Sequence, residues 1–187
     1  KIVEAQIDRA SRSIQDLLVY ARKPEPVLSQ MDLNACLEEC VALLRPEIER
    51  RNIMLALSLN PGLRKAEADQ QQIQEVFCNL IENALDAMPD GGTLTIRSHG
   101  IEARPAEKTS GWLAVDIADT GQGIASEHRA KIFQPFFTTK KAGRGTGLGL
   151  AITFETVRSH GGQILVESEP GKGTRFRVLL PVSGGAL

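Results

Sequence analysis

The sequence predicts an α+β fold: a two-layer α/β sandwich, helices on one face of a mixed, mostly antiparallel sheet, with a helical arm in front. Three observations carry this expectation. Strand pairs stand at 93–98 with 112–118 and at 163–168 with 174–181, read from β-type runs bounded by Gly and Pro turns. Amphipathic helices near 32–50 and 69–87 precede or flank them, and a third opens at Gly149. A heptad-spaced run fills residues 1–22 and stops at Lys23-Pro24-Glu25-Pro26.

Composition narrows the classes. A chain of 187 residues holds one core-forming domain and a small appendage. A net charge of −1 leaves no strong nucleic-acid or polyanion footprint. No apolar run approaches the roughly 20 residues of a membrane span, and no signal peptide opens the chain. Cys36, Cys40 and Cys78 lack metal-ligand spacing. Cys36 and Cys40 stand four apart on a helix, but two ligands without partners make no zinc site, so all three read as thiols. A reducing, cytoplasmic compartment follows.

In chain order, Val3, Ile7, Ala10, Ile14, Leu17 and Ala21 are spaced four, three, four, three and four, a seam of about three heptads. By pattern alone, a helix packed on its own domain stays open beside a bundle. Residues 23–31 read as a linker, and 32–187 as one domain. Asp32 caps a helix running to about Arg50, and Ile53–Leu59 is a strand stopped by Asn60-Pro61-Gly62. Asp69 with Gln72 three residues on is a capping-box signature. The helix it opens has Ile73, Val76, Phe77, Leu80, Ile81, Ala84 and Leu85 on one apolar face.

A different stripe of that helix carries Asn79, Asn83 and Asp86, at i, i+4 and i+7. Two amides and a carboxylate supply oxygens for a hard divalent ion; standing alone they would be a solvated polar face. What changes the balance lies between Asp119 and Gly149. Asp119 ends the Leu113–Ala118 strand, and an ionised carboxylate there accepts from the adenine amine and repels the guanine oxygen. Gly121, Gly123 and Ile124 follow it, letting backbone approach a base. Gly143, Gly145, Thr146, Gly147, Leu148 and Gly149 then open a helix, whose bare N–H groups suit phosphate. The glycines fit neither the Walker A nor the dinucleotide pattern. Between them, Phe133, Phe136 and Phe137 are read as anchoring a lid to the core in preference to stacking on a base, and Thr138, Thr139, Lys140 and Lys141 follow.

These boxes in this order resemble the ATP-binding catalytic domain of sensor histidine kinases, in the wider family shared with gyrase B, Hsp90 and MutL. The match covers about residues 30–181. The resemblance implies a Bergerat-type fold, ATP and Mg2+ as cofactors, Asn83 as the magnesium ligand and Asn79 on the phosphate side. It implies that Thr174 joins Asp119 near adenine through water. It makes residues 1–22 the second helix of a dimerisation hairpin, and so implies a homodimer in the full-length protein. The partners implied are the phosphoacceptor histidine helix and a response-regulator receiver domain.

The departures are informative. Family members that hydrolyse ATP have a glutamate where this chain has Asn79, an amide with no useful basicity. Phosphoryl transfer to a positioned acceptor is therefore favoured over hydrolysis, and Glu82 should point elsewhere. Asp86 and Thr138 replace a family lysine and arginine, so phosphate charge falls to the ion and to Lys140, Lys141 or Arg144, Lys140 first. None of His99, His128 and His160 matches the acceptor histidine, which is expected outside this chain. His160 reads as a cap at a helix end. The parent protein is expected in the cytoplasm or anchored at the inner membrane. Two other readings stay open: an ATP-dependent conformational clamp, and a serine kinase acting on a partner protein.

Overall fold

In the computed structural model the described residues are 25–102, 111–140 and 145–182. The expected heptad arm over 1–22 therefore lies outside the described residues, as do Lys141, Gly143 and Arg144.

Among the described residues, three long helices, one short helix and a five-stranded sheet form the body. Helix α1 (Leu33–Arg50) is capped by Asp32, whose Oδ1 accepts from the N–H groups of Asn34 and Ala35. Pro46 sits inside it and the helix continues. Helix α2 (Gln70–Ala87) is capped by Asp69 and buries all seven residues of the expected apolar face. At roughly 1.5–3 kcal/mol per fully buried large aliphatic or aromatic side chain, that face is the main adhesive of the helical layer. The helix α3 (Ser126–Arg129) is short, and α4 (Gly149–Ser159) completes the layer.

The strands are β1 (Ser29–Met31), β2 (Ile53–Leu59), β3 (Ala66–Ala68), β4 (Gly92–Ile101), β5 (Trp112–Asp119), β6 (Gln163–Glu169) and β7 (Gly173–Pro181). The main sheet has the order β2-β4-β5-β7-β6. Only β2 and β4 are parallel; the other three pairs are antiparallel, including both expected hairpins. Alternation sorts the side chains. Leu94, Ile96, Val115, Ile117, Phe176 and Val178 are buried in the common core with Ile73, Phe77, Leu80 and Ile81 of α2. On the opposite face Asp116 is held by Arg177, with Nε–Oδ1 at 2.6 Å and Nη2–Oδ2 at 3.0 Å.

Residues 29–31 were expected within a linker. Instead β1 pairs antiparallel with β3, Ser29 opposite Ala68, and Met31 is buried. A three-residue strand has no period for a sequence to display, and Pro24 and Pro26 dominate the local signal. Just before it, the Val27 N–H donates to Asp69 Oδ2 at 3.0 Å.

Candidate functional site

The central strand β5 delivers Asp119 to its end, where the side chain is 8 % exposed. Its Oδ1 accepts from the Gly121 N–H at 2.8 Å and the Thr174 N–H at 3.3 Å. Among the described residues no donor meets Oδ2, which is left to accept from something else. Burial pushes the Asp119 carboxyl above the ordinary aspartate value, and those two backbone donors pull it back. The loop that follows is tied down on two sides. Gln122 N–H donates to Ala87 O of α2 at 3.1 Å, and Ile124 N–H donates to Ser168 Oγ at 2.8 Å. Gly123 is at φ +68°, and a Cβ there would meet Glu169 O at 2.2 Å, so only glycine fits. Thr174 Oγ1 stands 3.0 Å from Ser168 Oγ, bringing the β6–β7 hairpin to the same corner.

The polar stripe of α2 is wired in series. Asn79 Nδ2 donates to Thr153 Oγ1 of α4 at 2.7 Å, and Asn83 Nδ2 to Asn79 Oδ1 at 3.4 Å. Asn83 Oδ1 then accepts from Lys140 Nζ at 3.0 Å, which also donates to Asp86 Oδ2 at 2.7 Å. Asp86 Oδ1 accepts from Arg51 Nη2 at 3.0 Å. Arg51 is anchored by Glu47 at 2.6 Å and by Leu85 O at 2.7 Å. Hydrogen bonds from Arg50 and Arg51 hold the Glu47 carboxyl down to about 2.

Helix α4 begins at Gly149, with Leu148 at its N-cap position and no side chain capping it. Its first N–H groups are therefore open to an anion. A Cβ on Gly149 would approach Asn79 Oδ1 at 2.6 Å, so the glycine lets α4 begin directly above the amide stripe. Thr146 Oγ1 accepts from the Leu148 N–H at 3.2 Å, and Thr138 Oγ1 from the Lys140 N–H at 3.1 Å.

One open cleft of about 1790 Å³ joins these elements. Of the expected residues, Asn79, Asn83, Asp86, Asp119, Gly123, Ile124, Thr138, Thr139, Lys140, Gly145, Thr146, Gly147, Gly149 and Thr174 line it. Gly121 and Leu148 stand behind it, the first holding Asp119 and the second buried at the α4 cap. Arg51 and Thr153 were not expected and line it too. The sequence held one clue to Arg51: a carboxylate at position 86, facing a phosphate site, demands cations. Glu82 was expected to point away, yet it lines the cleft, because the stripe is one residue wider than the asparagine spacing implies.

The lid anchor is partly as expected. The Phe133 ring is tilted against Phe154 at 5.3 Å and edge-on to Phe176 at 6.5 Å, and Phe137 packs on His128 at 5.5 Å. Phe136 departs: it is 64 % exposed at φ +65°, beneath Gly147, whose Cβ position would strike the Phe136 backbone. Among the described residues no group of His, Cys, Asp and Glu is arranged to hold a metal ion. The oxygens of Asn83 and Asp86, which converge on one ammonium, fit a hard cation that keeps most of its waters.

A strand-end carboxylate, a glycine-opened helix and an amide stripe around one cleft are the architecture of a nucleotide-binding α+β domain. Residues 68–184 match the family described as histidine kinase-, DNA gyrase B-, and HSP90-like ATPase, and the chain belongs to it. ATP is thus its nucleotide. The chain is 35% identical over 186 residues to the sensor kinase CckA of Brucella abortus, covering 96% of this chain and 20% of that protein. It is 33% identical over 183 residues to the sensor histidine kinase ZraS of Escherichia coli K12, covering 98% and 37%. It therefore spans a fifth to a little over a third of these relatives. The catalytic domain of histidine kinase ThkA superposes with a TM-score of 0.70 at 31% identity, over 83% of this chain and 95% of that one. Full-length ShkA in complex with AMPPNP gives 0.78 at 27% identity, over 91% and 35%. ThkA in complex with the response regulator TrrA gives 0.77 at 27%, over 97% and 50%.

Proposed function

We propose that this chain is the ATP-binding catalytic part of a two-component sensor histidine kinase. It takes the γ-phosphoryl of Mg-ATP to a histidine nitrogen, for relay to a response-regulator aspartate. Asp119 selects adenine, accepting from its amine while Gly121 and Thr174 hold the carboxylate in place. The α4 N-terminus and Gly145–Gly149 receive the phosphates, and Lys140 supplies positive charge to them. Asn83 is the magnesium ligand. Held there, the ion would supply positive charge against the negative charge of the phosphates.

The observation that carries this reading is Asn79. It stands one helical turn before Asn83, hydrogen-bonded to Thr153 at 2.7 Å. An amide at that position cannot take a proton from water, so the pocket is built to hold ATP for an incoming acceptor rather than to hydrolyse it. The acceptor is a histidine on a helix outside this chain. In this reading residues 1–22, which lie outside the described residues, belong to that dimerisation hairpin as its second helix, and Lys23-Pro24-Glu25-Pro26 is the hinge. The full-length protein is a homodimer, its catalytic part in the cytoplasm; among the described residues no helix is long and apolar enough to cross a membrane.

Incubation with γ-labelled ATP tests this. The chain alone should bind Mg-ATP and remain unlabelled, with negligible phosphate release. Adding the acceptor helical hairpin in trans should produce acid-labile label on it. Steady phosphate release from the chain alone would overturn the reading in favour of an ATPase, and acid-stable label on a partner in favour of a serine kinase.

A further inference from the structure

The Lys140 ammonium lies 3.0 Å from Asn83 Oδ1 and 2.7 Å from Asp86 Oδ2, so two oxygens of one helical stripe converge on one positive charge. Neither oxygen is there by chance rotation. Asn79 accepts from Asn83 Nδ2 at 3.4 Å, which turns the Asn83 oxygen outward. Arg51 engages Asp86 Oδ1 at 3.0 Å, which leaves Oδ2 facing the same point. An ordinary surface ion pair needs no such second layer of orientation, and Asn83 is neutral.

We propose that Asn83 Oδ1 and Asp86 Oδ2 are the two protein ligands of one divalent-cation site, and that Lys140 is the resident cation the metal displaces. The inference rests on the reading of Asn83 as the magnesium ligand and adds the second ligand and the competitor. Two oxygens suffice for an ion that takes its remaining positions from water and phosphate. A divalent ion and an ammonium cannot share these oxygens, because like charges at contact distance repel strongly. Metal entry thus releases Lys140, which sits at the end of the lid and becomes free to meet a phosphate. Arg51 stays on Asp86 and keeps the carboxylate aimed. Asp86 is then a ligand that attracts the metal.

Mn2+ titrated into the 187-residue chain, with free ion followed by electron paramagnetic resonance, tests this without any turnover. Asp86→Asn should lower Mn2+ affinity about tenfold, with or without a non-hydrolysable ATP analogue. Lys140→Met keeps the stem and removes the competitor, so in the absence of nucleotide it should raise affinity about tenfold. A gain of affinity is not something destabilisation produces, so a poorly folding Asp86 variant does not protect the proposal. If Asn83→Ala abolishes binding while Asp86→Asn stays within about twofold of wild type and Lys140→Met gives no gain, the second ligand and the competitor are refuted and the Asn83 reading stands. If Asn83→Ala binds like wild type, both fall.

Discussion

The Nε2 atom of His160 accepts a hydrogen bond from the backbone N–H of Asp69 at 3.0 Å. The other ring nitrogen, Nδ1, stands 2.7 Å from Thr156 O, and a carbonyl only accepts, so Nδ1 carries the proton and the ring is neutral. A buried imidazole thereby ties the end of α4 to the start of α2, the two helices that frame the cleft. The reciprocal half of the expected capping box is taken over by this bond, and Gln72 turns instead to the Asp69 carboxylate at 3.4 Å.

His160→Ala should cost about 1–3 kcal/mol of stability, because it strands a part-buried backbone donor. His160→Gln, which can bring an oxygen to the same donor, should cost less. Urea unfolding measures both; equal losses would mean that packing and not the acceptor matters.

Asp119→Asn should weaken ATP binding and stabilise the fold. The Gly121 and Thr174 donors demand oxygen at the Oδ1 position, which forces the amide nitrogen of the variant to face the adenine amine, donor against donor. Loss of the charged acceptor is worth about 1.5–3 kcal/mol in a nucleotide titration. The fold gains because burial raises the Asp119 carboxyl above its ordinary value, so its ionised form opposes folding. With the folded value above the unfolded one, the native state binds more protons in that interval. Wild-type stability therefore falls as pH rises from about 4 through the raised value. The melting-temperature advantage of the variant should be present at neutral pH and shrink on acidification; an advantage that grows on acidification has the wrong sign.

Local rules made much of this legible. Asp32 and Asp69 cap where their spacing put them, and Ile73 through Leu85 bury as one face, because cap chemistry and helical period are written within a few residues. The β6–β7 hairpin carries its turn in sequence, at Pro170-Gly171-Lys172-Gly173. What failed to show was set by distant chain. Nothing near Ile53–Leu59 tells it to lie parallel to β4, and β1 exists only because β3 is there to pair with it. Arg51 lies 35 residues from Asp86 and meets it only through the α1–α2 packing. The positive φ of Phe136 follows from the close approach of Gly147, a tertiary fact.

The cysteines should be inert. Cys36 and Cys40 are buried and Cys78 is half-buried. A side-chain hydrogen bond with Cys36, with burial behind it, pushes the Cys40 thiol up to about 12. Contact with Cys40, followed by burial, pushes Cys78 up as well. Thiolate is the reactive form, so alkylation by iodoacetamide at neutral pH should be slow in the native chain and fast in urea. Rapid native labelling of Cys78 would show that α1 and α2 part readily.

Gly149→Ala should separate binding from folding. Alanine favours a helix over glycine by up to about 1 kcal/mol, so the start of α4 gains locally. Its Cβ, however, lands 2.6 Å from Asn79 Oδ1, inside van der Waals contact. The obstacle is the end of a short side chain, which yields more cheaply than backbone does. Asn79 must then leave Thr153 Oγ1 and release Asn83 Nδ2, the bond that aims the Asn83 oxygen. The strain surfaces at the amide stripe and spares the core. Mg-ATP affinity should drop about tenfold, ~1.4 kcal/mol, while the melting temperature stays within a few degrees. Fluorescent-nucleotide titration beside thermal unfolding decides it: loss of both together would place Gly149 in the scaffold, and loss of neither would remove Asn79 from the phosphate side.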